Sequence, residues 1–142
     1  MPVKVGDRPA SSPALRTYLF AVAAAGALVL GPAVISATRM PNGAGWVAIT
    51  ALTILAGCFR LRFASVTANI AIDDTFFIAT TLLFGPGPGA LTTAAAALLF
   101  SLQRRHILRR VLFNMTGHAV SMGIAAQVFF ILAGVPPLSV GG

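Results

Sequence analysis

The sequence predicts an all-α protein, a polytopic transmembrane helical bundle of about five spans, and three observations lead there. Hydrophobic residues make up 57% of the 142 positions and charged residues only 9%, whereas a soluble domain carries about 25% charged residues. The apolar residues fall into five runs separated by short polar or Gly/Pro segments, most of them near the roughly 20 residues that cross a bilayer as helix. Basic residues gather at the ends of those runs. Mean hydropathy is +0.89. Hydrocarbon holds no water to satisfy a backbone, so spanning segments are helices or closed barrels, and runs of this length fit helices.

The same numbers exclude several classes. A net charge of +7 would suit nucleic acid, but the basic residues are dispersed in small groups, so bilayer topology explains them better and no nucleic-acid partner is expected. Cys58 is the single cysteine and lies inside an apolar run, which rules out an intrachain disulfide and a cysteine-based metal site. One domain of this length, filled with spans, leaves no room for a separate soluble catalytic domain.

In chain order, residues 1–14 are polar, with Pro2, Pro9 and Pro13 opposing helix and Lys4 and Arg8 supplying a basic flank; they read as a disordered cytoplasmic tail. Leu15 to Ala37 forms the first span, with Tyr18 as an interfacial aromatic and Pro32 as a kink. Ile35-Ser36-Ala37 has the form of a signal-peptidase site, but the apolar stretch exceeds a usual signal core. A turn at Pro41-Asn42-Gly43 follows. The second span, residues 45–59, is short, opens at Trp46 and closes at Arg60 and Arg62.

The stretch from Phe63 to Arg110 organises the rest. Phe63 to Ile72 alternates polar and apolar residues in an extended pattern, Asp73 and Asp74 follow, and Thr75 to Phe84 is apolar enough for helix. Residues 63–84 are either one continuous span or a discontinuous one, an extended lead-in to a half-helix starting at the acids. Acids exposed to lipid at mid-span would cost about 2.5 to 3.5 kcal/mol each, whereas Asp before a helix caps its free N–H groups; the broken form is favoured. Gly85 to Gly89 (GPGPG) reverses the chain. The fourth span covers 87–103, with Gly89, Thr92, Thr93 and Ala96 as a small face for close helix contact. Arg104 to Arg110 is a basic loop, 111–134 the last span, and 135–142 a flexible Pro/Gly end. The spans together make one domain, residues 15–134.

With the N-terminus in the cytoplasm, Arg39 is the one basic residue outside, and Arg60, Arg62, Arg104, Arg105, Arg109 and Arg110 are cytoplasmic topology anchors. The arginine loop is also placed to touch anionic lipids.

Asp74-Thr75-Phe76-Phe77, Leu82-Leu83-Phe84-Gly85-Pro86, Leu99 to Arg105, and Val111-Leu112-Phe113-Asn114 resemble the N-terminal multi-pass membrane domain that precedes diguanylate cyclase (GGDEF) and HD-GYP phosphodiesterase domains in bacterial signalling proteins. The resemblance runs from about Trp46 to Gly134. It implies a sensory or input module of the bacterial inner membrane, cut short before its output domain, because no GGDEF, EAL or HD-GYP signature is present and no cyclic-di-GMP chemistry carries over. A looser similarity, at the Gly-Pro reversal, is to the substrate-binding membrane subunits of energy-coupling-factor transporters, which implies solute binding as the alternative.

Asp73 and Asp74 are the only acids outside the tail. Intramembrane acids bind protons, cations or polar ligands, while acids at a helix start also serve as caps. Asn114, His118 and Ser121 fall on one helical stripe that, facing inward, would form a polar pocket with the acids, His118 exchanging protons near neutral pH; the same residues also serve as interhelical glue, about 0.6 kcal/mol each. The expected ligand or proton site is therefore Asp73, Asp74, Asn114 and His118. No nucleophile lies beside a base and an orienting acid, and GPGPG lacks the lysine of a phosphate loop. Neither catalysis, a metal nor a cofactor is expected, and the partners are the bilayer and a second copy in a homodimer.

Overall fold

The computed structural model describes residues 13–58, 73–105 and 107–138. The N-terminal tail, Arg60, Arg62 and the extended segment 63–72 lie outside the described residues. Five helices follow one another: α1 (Pro13–Thr38), α2 (Gly43–Cys58), α3 (Asp73–Phe84), α4 (Pro86–Gln103) and α5 (Leu108–Ala133). No strand occurs among the described residues.

Side-chain contacts set the directions. Gly26 of α1 lies against Thr116 of α5 and Val29 against Gly123, so α1 and α5 run the same way. Ala33 and Ser36 meet Gly87, which sets α4 antiparallel to both. Trp46 and Thr50 bond to Thr92 while Gly57 meets Phe100, so α2 is parallel to α4. Gly89 against Thr81 returns α3 antiparallel to α4. The order is up-down-up-down-up, and α4 touches all four other helices.

The bundle's packing follows from small side chains. α4 buries Pro88, Gly89, Ala90, Thr92, Thr93, Ala94, Ala96 and Ser101, so neighbouring backbones approach closely on several sides. A Cβ at Gly26 would stand 2.5 Å from that of Thr116, and one at Gly57 or Gly89 would overlap Phe100 or Thr81. Large aliphatic and aromatic side chains lie outside instead: Phe20 is 78% exposed, Leu28 76% and Leu132 81%.

Among the described residues only α1 and α5, 26 residues each, are long and apolar enough to cross a membrane. At 1.5 Å per residue they reach about 39 Å, whereas the 12 residues of α3 reach about 18 Å and the 16 of α2 about 24 Å. Five helices of one bundle thus replace the five full-length spans expected. The expected basic loop is also shorter, since α5 begins at Leu108 and takes Arg109 and Arg110 into its first turn; arginine is a good helix former.

The α3–α4 reversal needs a single non-helical residue, Gly85, at φ 94 and ψ −179, a conformation closed to residues with a Cβ. Its N–H bonds to the Thr81 carbonyl at 2.8 Å. Pro137 packs on Gly85, and the Leu138 N–H reaches the Leu82 carbonyl at 3.1 Å. Residues 137–138 are therefore fastened to the reversal, where a flexible end was expected. Arg16, Arg104, Arg105, Arg109 and Arg110 fall at one end of the bundle by these directions, and Arg39 at the other.

Gly89→Ala should destabilise the bundle by about 1 to 3 kcal/mol through overpacking against Thr81. Gly31→Ala, where a Cβ meets nothing within 4 Å, should leave the thermal midpoint in detergent unchanged or slightly raised; equal behaviour of the two would refute the close contact.

Candidate functional site

Polar side chains inside the bundle are mostly threonines, and most of them satisfy themselves. Thr53, Thr80, Thr81, Thr93 and Thr116 donate to the carbonyl one turn back, at 2.7 to 3.1 Å, which lets a hydroxyl be buried without an external partner. Thr92 is different. Its Oγ1 accepts from Trp46 Nε1 at 3.0 Å and pairs with Thr50 Oγ1 at 2.9 Å, while the indole N–H is shared with the Pro88 carbonyl at 3.3 Å. Pro88 and Thr92 thus hold the start of α2 against α4. The Trp46 indole thus turns its N–H into the bundle.

Asp73 and Asp74 open α3, and Asp74 is exposed. Asn114 is half-buried and its Nδ2 donates to Ser101 Oγ on α4 at 3.4 Å. His118 and Ser121 are exposed, which corrects the inward stripe expected of them. The buried positions of α5 are Val111, Thr116, Ala119 and Ala126; His118 lies about 100° around the helix from Ala119. Among the described residues neither the Asp74 nor the His118 side chain has a hydrogen bond or ion pair.

Register nonetheless relates them. Thr81 Oγ1 meets Met122 Sδ at 3.4 Å across the parallel pair α3 and α5. Seven residues back along each helix, about 10 Å, Asp74 stands level with Met115, within one turn of Asn114 and His118. The acid, the amide and the imidazole are thus brought to one depth, toward the basic end, without being joined in a closed pocket. No group of three or more His, Cys, Asp or Glu able to hold a metal occurs among the described residues.

Near the opposite end lies a groove of ≈ 530 Å³ between α1, the start of α4 and α5. Pro32, which has no N–H to offer the Leu28 carbonyl, lines it, as do Ser36, Gly87, Gly123 and Gln127. Sequence inspection had not singled out Ser36 or Gln127. Pro32 inside an apolar run was the available signal, since it frees a carbonyl.

No family model matches the chain, and no characterised protein or solved structure is similar to it.

A double-mutant cycle of Thr50→Val and Thr92→Val should give a coupling near 0.6 kcal/mol, the average for interhelical hydrogen bonds in membrane proteins. A coupling indistinguishable from zero in thermal or denaturant unfolding would remove the Thr50–Thr92 bond from the account.

Proposed function

We propose that this chain is a non-catalytic sensory, or input, module of a bacterial signalling protein, embedded in the cytoplasmic membrane as a multi-pass bundle with its N-terminus and basic end in the cytoplasm. The observation that carries the membrane part is the inverted distribution of side chains. Alanine, glycine and threonine fill most of the interior while Phe20, Leu28, Ile131 and Leu132 lie outside, an arrangement that hydrocarbon tolerates and water does not. The orientation is supported by the five described arginines at one end against Arg39 alone at the other.

The sensory part is supported by Asp74, Asn114 and His118 at one depth beside the short helix α3. An acid and an imidazole there respond to protons or to a small polar ligand. α3 ends on the glycine hinge at Gly85, so a displacement at its acidic end has a pivot to turn about.

The alternative, a solute-binding transporter subunit, draws on the ≈ 530 Å³ groove, which falls within the usual range for small-molecule sites. The two readings use opposite ends of the bundle, so they are separable. A thermal-shift series on the full chain in detergent, across pH and small polar solutes, should show responses that Asp74→Asn and His118→Ala abolish. Responses lost only in Gln127→Ala and Ser36→Ala would favour the transporter. A profile unchanged in all four variants would leave Asp74 as a cap alone.

Orientation has its own test. In a Cys58→Ser background, a membrane-impermeant thiol reagent applied to intact spheroplasts should label Asn42→Cys and spare Arg104→Cys. The opposite pattern would invert the topology.

A further inference from the structure

The basic end carries chemistry that the sensory reading leaves unused. α4 passes into α5 through a tight turn. The Arg104 N–H bonds to the Phe100 carbonyl at 3.2 Å and the Arg105 N–H to that of Leu102 at 2.9 Å, while the N–H groups of Arg110 and Val111 return to the Ile107 carbonyl at 2.8 and 3.1 Å. Four arginines, Arg104, Arg105, Arg109 and Arg110, flank this connection, and all are exposed. None has an ion-pair partner among the described residues.

The arrangement costs energy as it stands. Arg105 sits at φ 51, a left-handed conformation uncommon for a bulky side chain. Two arginines occupy the first turn of α5, where the helix dipole disfavours cations, and no acid offsets them there. An anion at this turn would relieve the crowding of like charges.

The neighbours of the arginines say which anion. Leu102, Ile107 and Leu108 are interleaved with them and are 54%, 81% and 70% exposed. A soluble phosphate has no use for three projecting aliphatic side chains, and water penalises them. A phospholipid satisfies both halves, phosphodiester against guanidinium and acyl chain against leucine and isoleucine. Arg16 extends the same end, since Tyr18, two residues on, packs against Phe113 with ring centroids 5.9 Å apart.

We infer that the α4–α5 turn is a binding site for anionic phospholipid headgroups, with Arg104, Arg105, Arg109 and Arg110 holding the phosphate and Leu102, Ile107 and Leu108 seated among the acyl chains. This rests on the membrane-embedded reading above. It goes beyond orientation by charge, because it requires a headgroup preference.

The test follows the thermal midpoint of the full chain in a non-ionic detergent during titration with phosphatidylglycerol, phosphatidylcholine or inorganic phosphate. Phosphatidylglycerol should act at concentrations at least about tenfold below phosphatidylcholine, and inorganic phosphate should give no shift; replacing all four arginines by glutamine should abolish that preference. Ile107→Ser with Leu108→Ser, arginines intact, should weaken the response to phosphatidylglycerol. Should the glutamine variant not fold, replacing the same four arginines by lysine keeps the charge, removes the bidentate fork and should retain a reduced preference.

Equal potency of the two lipids on the wild-type chain would overturn the inference, as would a preference undiminished in the glutamine variant or by Ile107→Ser with Leu108→Ser. A shift reproduced by inorganic phosphate would also overturn it, by marking a soluble-anion site. Alkaline carbonate extraction separates this from failure of the underlying reading: a chain recovered in the soluble fraction refutes the membrane bundle, whereas a membrane-retained chain without headgroup preference refutes the lipid site alone.

Discussion

Close approach of backbones around α4 is the constraint on which the other features depend. For the membrane-embedded bundle proposed above there is no hydrophobic gain from pressing one apolar helix on another, because acyl chains are as apolar as leucine; association there comes from van der Waals contact and interhelical hydrogen bonds. Both require short distances. A helix in contact with all four others has few faces to spare for a large side chain, which is why Ala90, Ala94 and Ala96 are buried while Leu99 and Leu102 point away. The glycines outside α4 follow the same logic: Gly26 gives room to Thr116 and Gly57 to the ring of Phe100.

Threonine solves the second half of the problem. Small residues alone would leave an interior with little to fix helix register, yet free hydroxyls would be costly there. Thr53, Thr80, Thr81, Thr93 and Thr116 return their hydroxyls to their own helices, so they pack as slightly larger alanines. Thr92 is released from that local bond and spent on α2, where Trp46 and Thr50 converge on it. Thr92 thereby sets the register between α2 and α4, and Thr81, besides its local bond, also reaches Met122 of α5 at 3.4 Å.

Much of this was legible in the sequence, and what was not has identifiable causes. The helices of the bundle could be read from apolar runs punctuated by Pro-Asn-Gly, Gly-Pro-Gly and paired arginines, and the small face of α4 from Gly89, Thr92, Thr93 and Ala96. The start of α5 was misplaced by three residues because Arg109 and Arg110 read as loop by charge although they favour helix. The orientation of His118 was misjudged because polar residues in apolar runs were assigned to the interior; a one-residue change of phase, about 100°, separates His118 from buried Ala119. The Trp46–Thr92 bond spans 46 positions and follows only once α2 and α4 are known to run in parallel. Asp74 and His118 are both exposed, and no side-chain contact among the described residues joins them to Asn114, because the stripe was drawn from spacing on one helix without the phase that packing on α4 imposes.

The two ends of the bundle are chemically unlike, and α3 is the element that connects them. Its first residues are acids at the arginine-bearing end, and its last turn is fixed by three contacts: Gly85 N–H on Thr81, Leu138 N–H on Leu82, and Pro137 against Gly85. α3, about 18 Å long, is thus held at its C-terminal end and bears an exposed acid, Asp74, at the other. Because its inner face meets α4 through Thr81 and Gly89, where there is no slack for a methyl group, tilting α3 requires α4 to shift with it. α4 in turn contacts both long helices, so α3 is linked to α1 and α5 through the packed face of α4.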